Sequence, residues 1–253
     1  MIKLTDGKDV ISQFDEDDIF FRKIMSEHSF SGNYSDTYLY FQSAEDKITS
    51  LIFKSGNAIT MCFNDGANYD EINEFLGIIG YDSIFCDEIF FAKLKLHKTR
   101  SGKIMLCEYK EKRSEHNCDV INIDNENLKD LYELIDSCFE LKTDFSSWFV
   151  DCSHKLRHNF LNVKAVSVSE KYVSCAFSMF EYKNSVIINS VCTDVLHRGK
   201  GYATACINSL QKELYRKGIF YFYVFCEDGE IGDFYKKSGF KNIGRWCEYV
   251  RKI

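Results

Sequence analysis

Val186-Ile187-Ile188-Asn189-Ser190-Val191-Cys192-Thr193, followed after a short link by Arg198-Gly199-Lys200-Gly201-Tyr202-Ala203-Thr204, is the stretch on which the reading of this chain turns. The first segment is an apolar run with no helical period, which predicts a strand. Beyond the glycines, Ala203, Ile207, Leu210 and Leu214 recur at helical spacing, and Gly218 stands where a left-handed cap would end a helix. The expected order is therefore strand, glycine turn, helix. A helix that begins after glycines presents unpaired N–H groups and the positive end of its dipole, which suits phosphate. Gly199 and Gly201 let a ligand come close to the backbone, and Arg198 and Lys200 add positive charge, so a pyrophosphate is the natural guest. Two better-known phosphate loops are excluded by spacing. The P-loop needs four residues between its glycines and then Lys-Ser/Thr, and the dinucleotide fingerprint needs G-x-G-x-x-G.

Downstream, Phe220-Tyr221-Phe222-Tyr223-Val224-Phe225-Cys226 predicts another strand, Asp233-Phe234-Tyr235-Lys236-Lys237-Ser238-Gly239-Phe240 a short element, and Trp246 to Val250 a last strand. Taken together these residues resemble the GNAT (Gcn5-related N-acetyltransferase) superfamily, whose cofactor motif reads Q/R-x-x-G-x-G/A. Arg198, Gly201 and Ala203 match that motif in order, and Tyr235, Gly239 and Phe240 match the family's Y-x-x-x-G-F element. The resemblance covers about half the chain. It implies an α+β chain with a GNAT fold, a splayed mixed sheet flanked by helices, and acetyl-CoA as co-substrate without a metal. The cofactor would be held by Val191, Cys192, Thr193 and Arg198 through Thr204, with a backbone N–H near Val191 to Thr193 polarising the thioester carbonyl.

Acyl transfer from a thioester to a primary amine needs a neutral amine, a donor to the carbonyl and an acid for the departing thiolate. The resemblance puts Tyr235 in the acid role, and a phenol can donate at neutral pH. For the base, Glu181 is the first candidate, with Asp151, His154 and His158 as others and loss of the proton to water as a further route. The family's asparagine six residues before the tyrosine is replaced by Gly229. Glu227, Asp228 and Glu230 would place negative charge near the cleft, which suits a cationic amine. A protein that holds CoA without turnover stays open as the second reading.

The 253 residues are 45% hydrophobic and 15% aromatic, enough for one large or two ordinary domains. Formal charge is −6, so nothing points to nucleic acid or an anionic membrane surface. Eleven cysteines lack C-x-x-C spacing and read as reduced, mostly buried thiols of a cytoplasmic protein. The first residues show no signal peptide, and no run reaches membrane-spanning length. The acceptor, and monomer against homodimer, are not legible.

In chain order, Asp15 to Ser29 predicts a helix with four acids at its start. Strands are predicted at Thr37 to Gln42, Ile48 to Lys54, Ala58 to Asn64, Ser83 to Cys86 and Lys103 to Tyr109, with a helix at Tyr69 to Ile79. The charged run from Lys110 to Asn117 marks an expected boundary between an N-terminal α+β domain, 1–118, and a GNAT domain, 119–253. In the latter, helices near Leu128 to Phe139 and Ser146 to His158 precede strands Val163 to Val168, Tyr172 to Glu181 and Val186 to Thr193. The first half shows a similar order of elements. Its loop, Asn64-Asp65-Gly66-Ala67-Asn68, is acidic where a pyrophosphate would bind. A degenerate GNAT-like repeat without a cofactor is one expectation there, and an unrelated α+β domain is the other.

Overall fold

The longer apolar runs without helical period become strands and apolar residues at helical spacing become helices, and with the shorter elements there are seven α-helices and twelve strands among the described residues. The structure is a computed structural model that describes residues 1–8, 10–32, 36–110, 118–141 and 143–251. Tertiary contacts group them into two compact units that are discontinuous in sequence. One is Met1–Met105 with Phe225–Lys237 and Lys241–Ile253, and the other is Leu106–Val224 with Ser238–Phe240. The charged run expected to mark a boundary falls largely on 111–117, outside the described residues.

The first unit contains β1 (Ile2–Leu4), α1 (Ile19–Ser31), β2 (Thr37–Ala44), β3 (Lys47–Ser55), β4 (Ala58–Phe63), α2 (Tyr69–Ile79), β5 (Ser83–Asp87) and α3 (Glu88–Phe91). After these the chain forms β6 (Arg100–Glu108), which begins in this unit. Strands run β1-β2-β3-β4-β5, and the chain's last strand, β12 (Lys241–Val250), pairs antiparallel with β5. The pairs β1–β2, β2–β3 and β3–β4 are antiparallel, and β4 with β5 is parallel over Ala58↔Ser83, Ile59↔Ile84 and Thr60↔Phe85. Ile52, Ile59, Met61, Ile72, Leu76 and Ile84 form its core.

The expected helix at Asp15 starts later, at Ile19, because Asp18 acts as the N-cap and accepts from the amides of Phe20 and Phe21 at 2.7 and 2.9 Å. The other acids of that run precede the helix. Helix α2 matches its expected bounds and is closed by Asn68, whose side chain accepts from Glu71 N at 3.1 Å. Gln42 clamps the same residue, donating to Asn68 O at 3.0 Å and accepting from Asn68 N at 2.9 Å.

The second unit contains β7 (Val120–Asn122), α4 (Leu128–Phe139), α5 (Phe145–Arg157), β8 (Asn162–Val168), β9 (Lys171–Tyr182), β10 (Ser185–Thr193), α6 (Tyr202–Tyr215) and most of β11 (Tyr221–Glu227). Its strands run β7-β8-β9-β10-β11, antiparallel except for β10 with β11. Helix α6 packs on β8, β9 and β10 with Ala205, Cys206, Ile207, Leu210 and Leu214 buried. One buried cation helps fix it there. Lys164 of β8, 5% exposed, donates to Glu213 of α6 and to Asn122 of β7. Burial pushes the Glu213 carboxyl up, but the bonds from Lys164 and Lys217 outweigh it and hold the group below its ordinary value.

Three short elements, β1, α3 and β7, are not evident from periodicity, because three or four residues are too few for a pattern to repeat. Replacing Asn68 by Ala removes the cap of α2 and should cost about 1 kcal/mol. A urea midpoint unchanged in Asn68→Ala would mean that the Gln42 clamp alone holds this helix start.

Candidate functional site

Strand β10 carries two departures from a regular ladder. Its parallel pairing with β11 covers Ser185↔Tyr221, Val186↔Phe222 and Ile187↔Tyr223 and stops there, although β10 continues to Thr193. On its other edge, the register with β9 passes from Asn189↔Phe177 to Cys192↔Cys175. Ser190 and Val191 therefore face Ala176 together, a β-bulge. Ser190 takes φ +47°, the left-handed region. Beyond the bulge the chain is tied down again. Ser174 Oγ donates to Cys192 O at 2.8 Å, and Asp194 N donates to Val173 O at 2.9 Å.

Past this strand Asp194 accepts from Leu196 N at 2.9 Å and pairs with His197 Nδ1 at 3.1 Å, so His197 is engaged beside the motif. Exposed Arg198 donates through Nε to Thr193 O at 3.2 Å, which anchors its stem to the end of β10. Gly199 and Gly201 hold φ +77° and +82°, and a Cβ on either would meet nothing within 4 Å. Their glycine identity thus answers to backbone conformation and open space, not to packing inside the chain. Gly201 is the N-cap of α6 and supplies no side-chain cap. The N–H groups of Tyr202, Ala203 and Thr204 lie in the first turn, where helix geometry provides no acceptor. Arg198, Gly199, Lys200 and Gly201 are all exposed around this start. The set fits a pyrophosphate: uncapped amides, the helix dipole and two cations on an open surface.

Expected residues Val191, Cys192, Thr193 and Arg198 through Thr204 thus fall on one continuous segment of the second unit. Glu181 does not join them. It lies at the turn end of β9, six positions from Cys175, or about 20 Å along a strand. It is exposed, and burial of part of its carboxyl raises its pKa while Lys217, beyond the far end of α6, opposes this. The motif sits at the other end of that 14-residue helix, about 21 Å away. The hairpin geometry that places Tyr182 opposite Ser185 carries Glu181 away from the bulge. Other base candidates have partners of their own: Asp151 pairs with Lys155 at 2.6 Å, and the rings of His154 and His158 lie 4.5 Å apart.

Tyr235 belongs to the first unit, on α7 (Glu230–Lys237), and is 7% exposed. Burial, with the nearby Cys226 thiol, pushes its phenol well above the ordinary value, so it is protonated near neutrality. Gly229, which turns the chain into α7, holds φ +94°. The acids expected to draw a cation are largely spent. Glu227 pairs with Arg100 at 3.0 Å and Asp228 with Arg245 at 2.8 Å. Sequence reasoning missed Asn189, whose buried Oδ1 at the start of the bulge has no hydrogen-bond partner. An asparagine inside an apolar run was the available signal. Among the described residues no group of three His, Cys, Asp or Glu could hold a metal, and no helix is long and apolar enough to cross a membrane.

No protein-family model matches the chain, and no curated protein matches it either. Solved structures do. A GCN5-related N-acetyltransferase from Kribbella flavida has a TM-score of 0.63 at 9% identity, covering 92% of this chain and 96% of its own. An acetyltransferase of the GNAT family from Colwellia psychrerythraea has 0.60 at 11% identity over 100% of both chains. A tandem GNAT protein from the clavulanic acid biosynthesis pathway has 0.58 at 8% identity, covering 90% of this chain and 86% of its own. At these identities the likeness concerns the fold, a mixed α+β architecture with helices flanking the sheet. Gly201→Val would strain a left-handed position and fill the space above it, at about 1–2 kcal/mol for the backbone alone. Affinity for coenzyme A, the ligand implied by the resemblance, should fall by about tenfold or more in calorimetry. Unchanged affinity would remove this turn as the anion site.

Proposed function

We propose that the chain is an acyl-CoA-dependent N-acetyltransferase acting on a primary amine. The observation that carries the reading is the uncapped start of α6, with two left-handed glycines opening onto free space, directly after a bulged strand. Bound acetyl-CoA would supply the acetyl group and a thiolate leaving group. Arg198, Lys200, the turn at Gly199 and Gly201, and the amides of Tyr202, Ala203 and Thr204 would hold its pyrophosphate. The backbone from Val191 to Thr193 lies outside the parallel ladder and would offer an N–H to the thioester oxygen, where charge develops. Asn189 Oδ1 would accept a hydrogen from the acceptor amine and orient its lone pair. Tyr235 would give its proton to the thiolate, with burial of the phenol opposing the transfer. An alkylammonium can lose its own proton to water before binding, so no carboxylate base is required, in keeping with the position of Glu181.

The same reading takes 1–118 as a degenerate repeat of 119–253 that has no cofactor. Both halves run from three antiparallel strands through a helix to a strand parallel to the third, and each parallel pairing covers three positions. The first half keeps an unshifted register between β3 and β4, and its helix start is capped by Asn68 with Asp70 and Glu71 in the first turn. Both carboxylates are paired, with Lys95 at 2.9 Å and the N-terminal amine at 3.2 Å, so the asparagine cap is what closes this helix start to an anion. A cytoplasmic setting, where thiols stay reduced, belongs to the same proposal.

A second reading, CoA binding without turnover, is favoured by Gly229 and by the displaced Glu181. Tyr235→Phe separates the two when thiol release is followed over a panel of amines. Turnover should fall by about a hundredfold while acetyl-CoA affinity stays as it was. Equal turnover in Tyr235→Phe removes the acid role. A wild-type chain that binds acetyl-CoA and releases no thiol with any amine supports the binder.

A further inference from the structure

The bulged strand also carries a thiol pair that the proposed reaction does not use. Cys192 of β10 and Cys175 of β9 stand directly opposite each other on neighbouring antiparallel strands, with Sγ atoms 3.5 Å apart. Opposed residues on such strands have Cα atoms about 4.5–5.5 Å apart, inside the range of about 4.4–6.8 Å that a disulfide spans. Closing the 3.5 Å gap to a bonded length of about 2.05 Å brings the two sulfurs together and pulls Cys192 toward β9. Cys175 is sealed in the core, whereas Cys192 keeps 8% of its surface open. Cys138 of α4 packs on the same cluster and is itself partly exposed.

The three thiols are not equivalent. A hydrogen bond from Cys175, then one from Cys138, with Arg198 nearby, draws the Cys192 thiol below its ordinary pKa against the effect of burial. Burial raises Cys175 and Cys138. The thiolate is the form that attacks a peroxide, so Cys192 is the attacking sulfur and Cys175 the resolving one.

We propose that Cys192 and Cys175 form a reversible disulfide when a hydroperoxide is present, and that this bond closes down the cofactor site beside it. The Cys192 thiolate attacks the peroxide O–O bond, giving a sulfenic acid and, after a proton is taken up, an alcohol or water. The Cys175 thiol then attacks the sulfenic sulfur, the S–S bond forms and water leaves. In total the two thiols give up two electrons and two protons, and the peroxide is reduced. The consequence for the site follows from position. Cys192 ends the bulge, its carbonyl is held by Ser174 Oγ, and the next carbonyl, Thr193 O, anchors Arg198. Drawing Cys192 Sγ onto β9 turns the segment from Val191 to Thr193 and disturbs the alignment of its backbone groups. Cys86 and Cys247 also stand in register, on β5 and β12. They form a natural control, since both are sealed from solvent and burial raises both thiols.

The effect on the site rests on the reading given under Proposed function, and the bond itself does not. Reduced full-length chain treated with one equivalent of hydrogen peroxide should lose two hydrogens in mass and yield a linked peptide joining Cys175 to Cys192. Hydrogen exchange in the peptide spanning residues 188–193 should change, acetyl-CoA affinity should fall by about tenfold, and dithiothreitol should restore all of these. Cys175→Ser keeps the residue's size. It should leave reduced-state affinity as it was and, with no resolving thiol, gain one oxygen at Cys192 in place of losing two hydrogens. A link from Cys192 to Cys138, a link between Cys86 and Cys247 in its place, or no link at all overturns the assignment. The expected link with unchanged exchange and affinity overturns the switch. Failure of the reduced chain to bind acetyl-CoA would count against the functional reading, with peptide mapping still deciding the bond.

Discussion

Three residue pairs of parallel ladder hold β10 to β11, and the local chemistry of the second unit depends on the ladder ending there. A parallel ladder continued to Thr193 would use the backbone groups of the second half of β10 within the sheet. Because it stops at Ile187, the strand can bulge toward β9, set Ser190 into a left-handed conformation and deliver the chain to Gly199 and Gly201. The glycine turn then leaves the start of α6 without a side-chain cap, while Cys192 of the same segment stays buried. Such a start is costly unless something outside the chain completes it.

The first unit shows what the same succession of elements does without those features. Its parallel pair is also three positions long, yet β4 stays in register with β3 and α2 begins under an asparagine cap braced by Gln42. The bulge and the uncapped helix start of the second unit thus have closed counterparts there, an unshifted register and a capped start. The contrast is one of hydrogen-bond satisfaction, with no difference in architecture needed to explain it.

Much of the arrangement was legible in sequence where long patterns carry it. Continuous apolar runs marked β8, β9 and β10, and the spacing of Ile207, Leu210 and Leu214 marked α6. Short elements escaped because their patterns do not repeat often enough to be read. Glu181 was a reasonable candidate in sequence, since it ends the strand next to β10. Hairpin pairing runs backwards along the chain, however, so the residue nearest the turn is the one farthest from the bulge. The acids at 227 and 228 read as free charge, and their neutralisation by Arg100 and Arg245 depends on partners more than a hundred and some seventeen positions away, respectively. Asn189 could be seen as polar in an apolar strand, but its orphaned oxygen could not.

The sequence by itself determined the order of strand, glycine turn and helix, the positive charge beside the turn, and the chemistry a left-handed glycine pair permits. These are local properties, set by side-chain period and by the φ that glycine alone adopts freely. Only the tertiary structure decided where β10 leaves its ladder, which thiols face each other across β9 and β10, and which acids are neutralised. Each of those depends on the register between strands or on partners remote in sequence, and a one-residue shift in register would move every side chain to the other face.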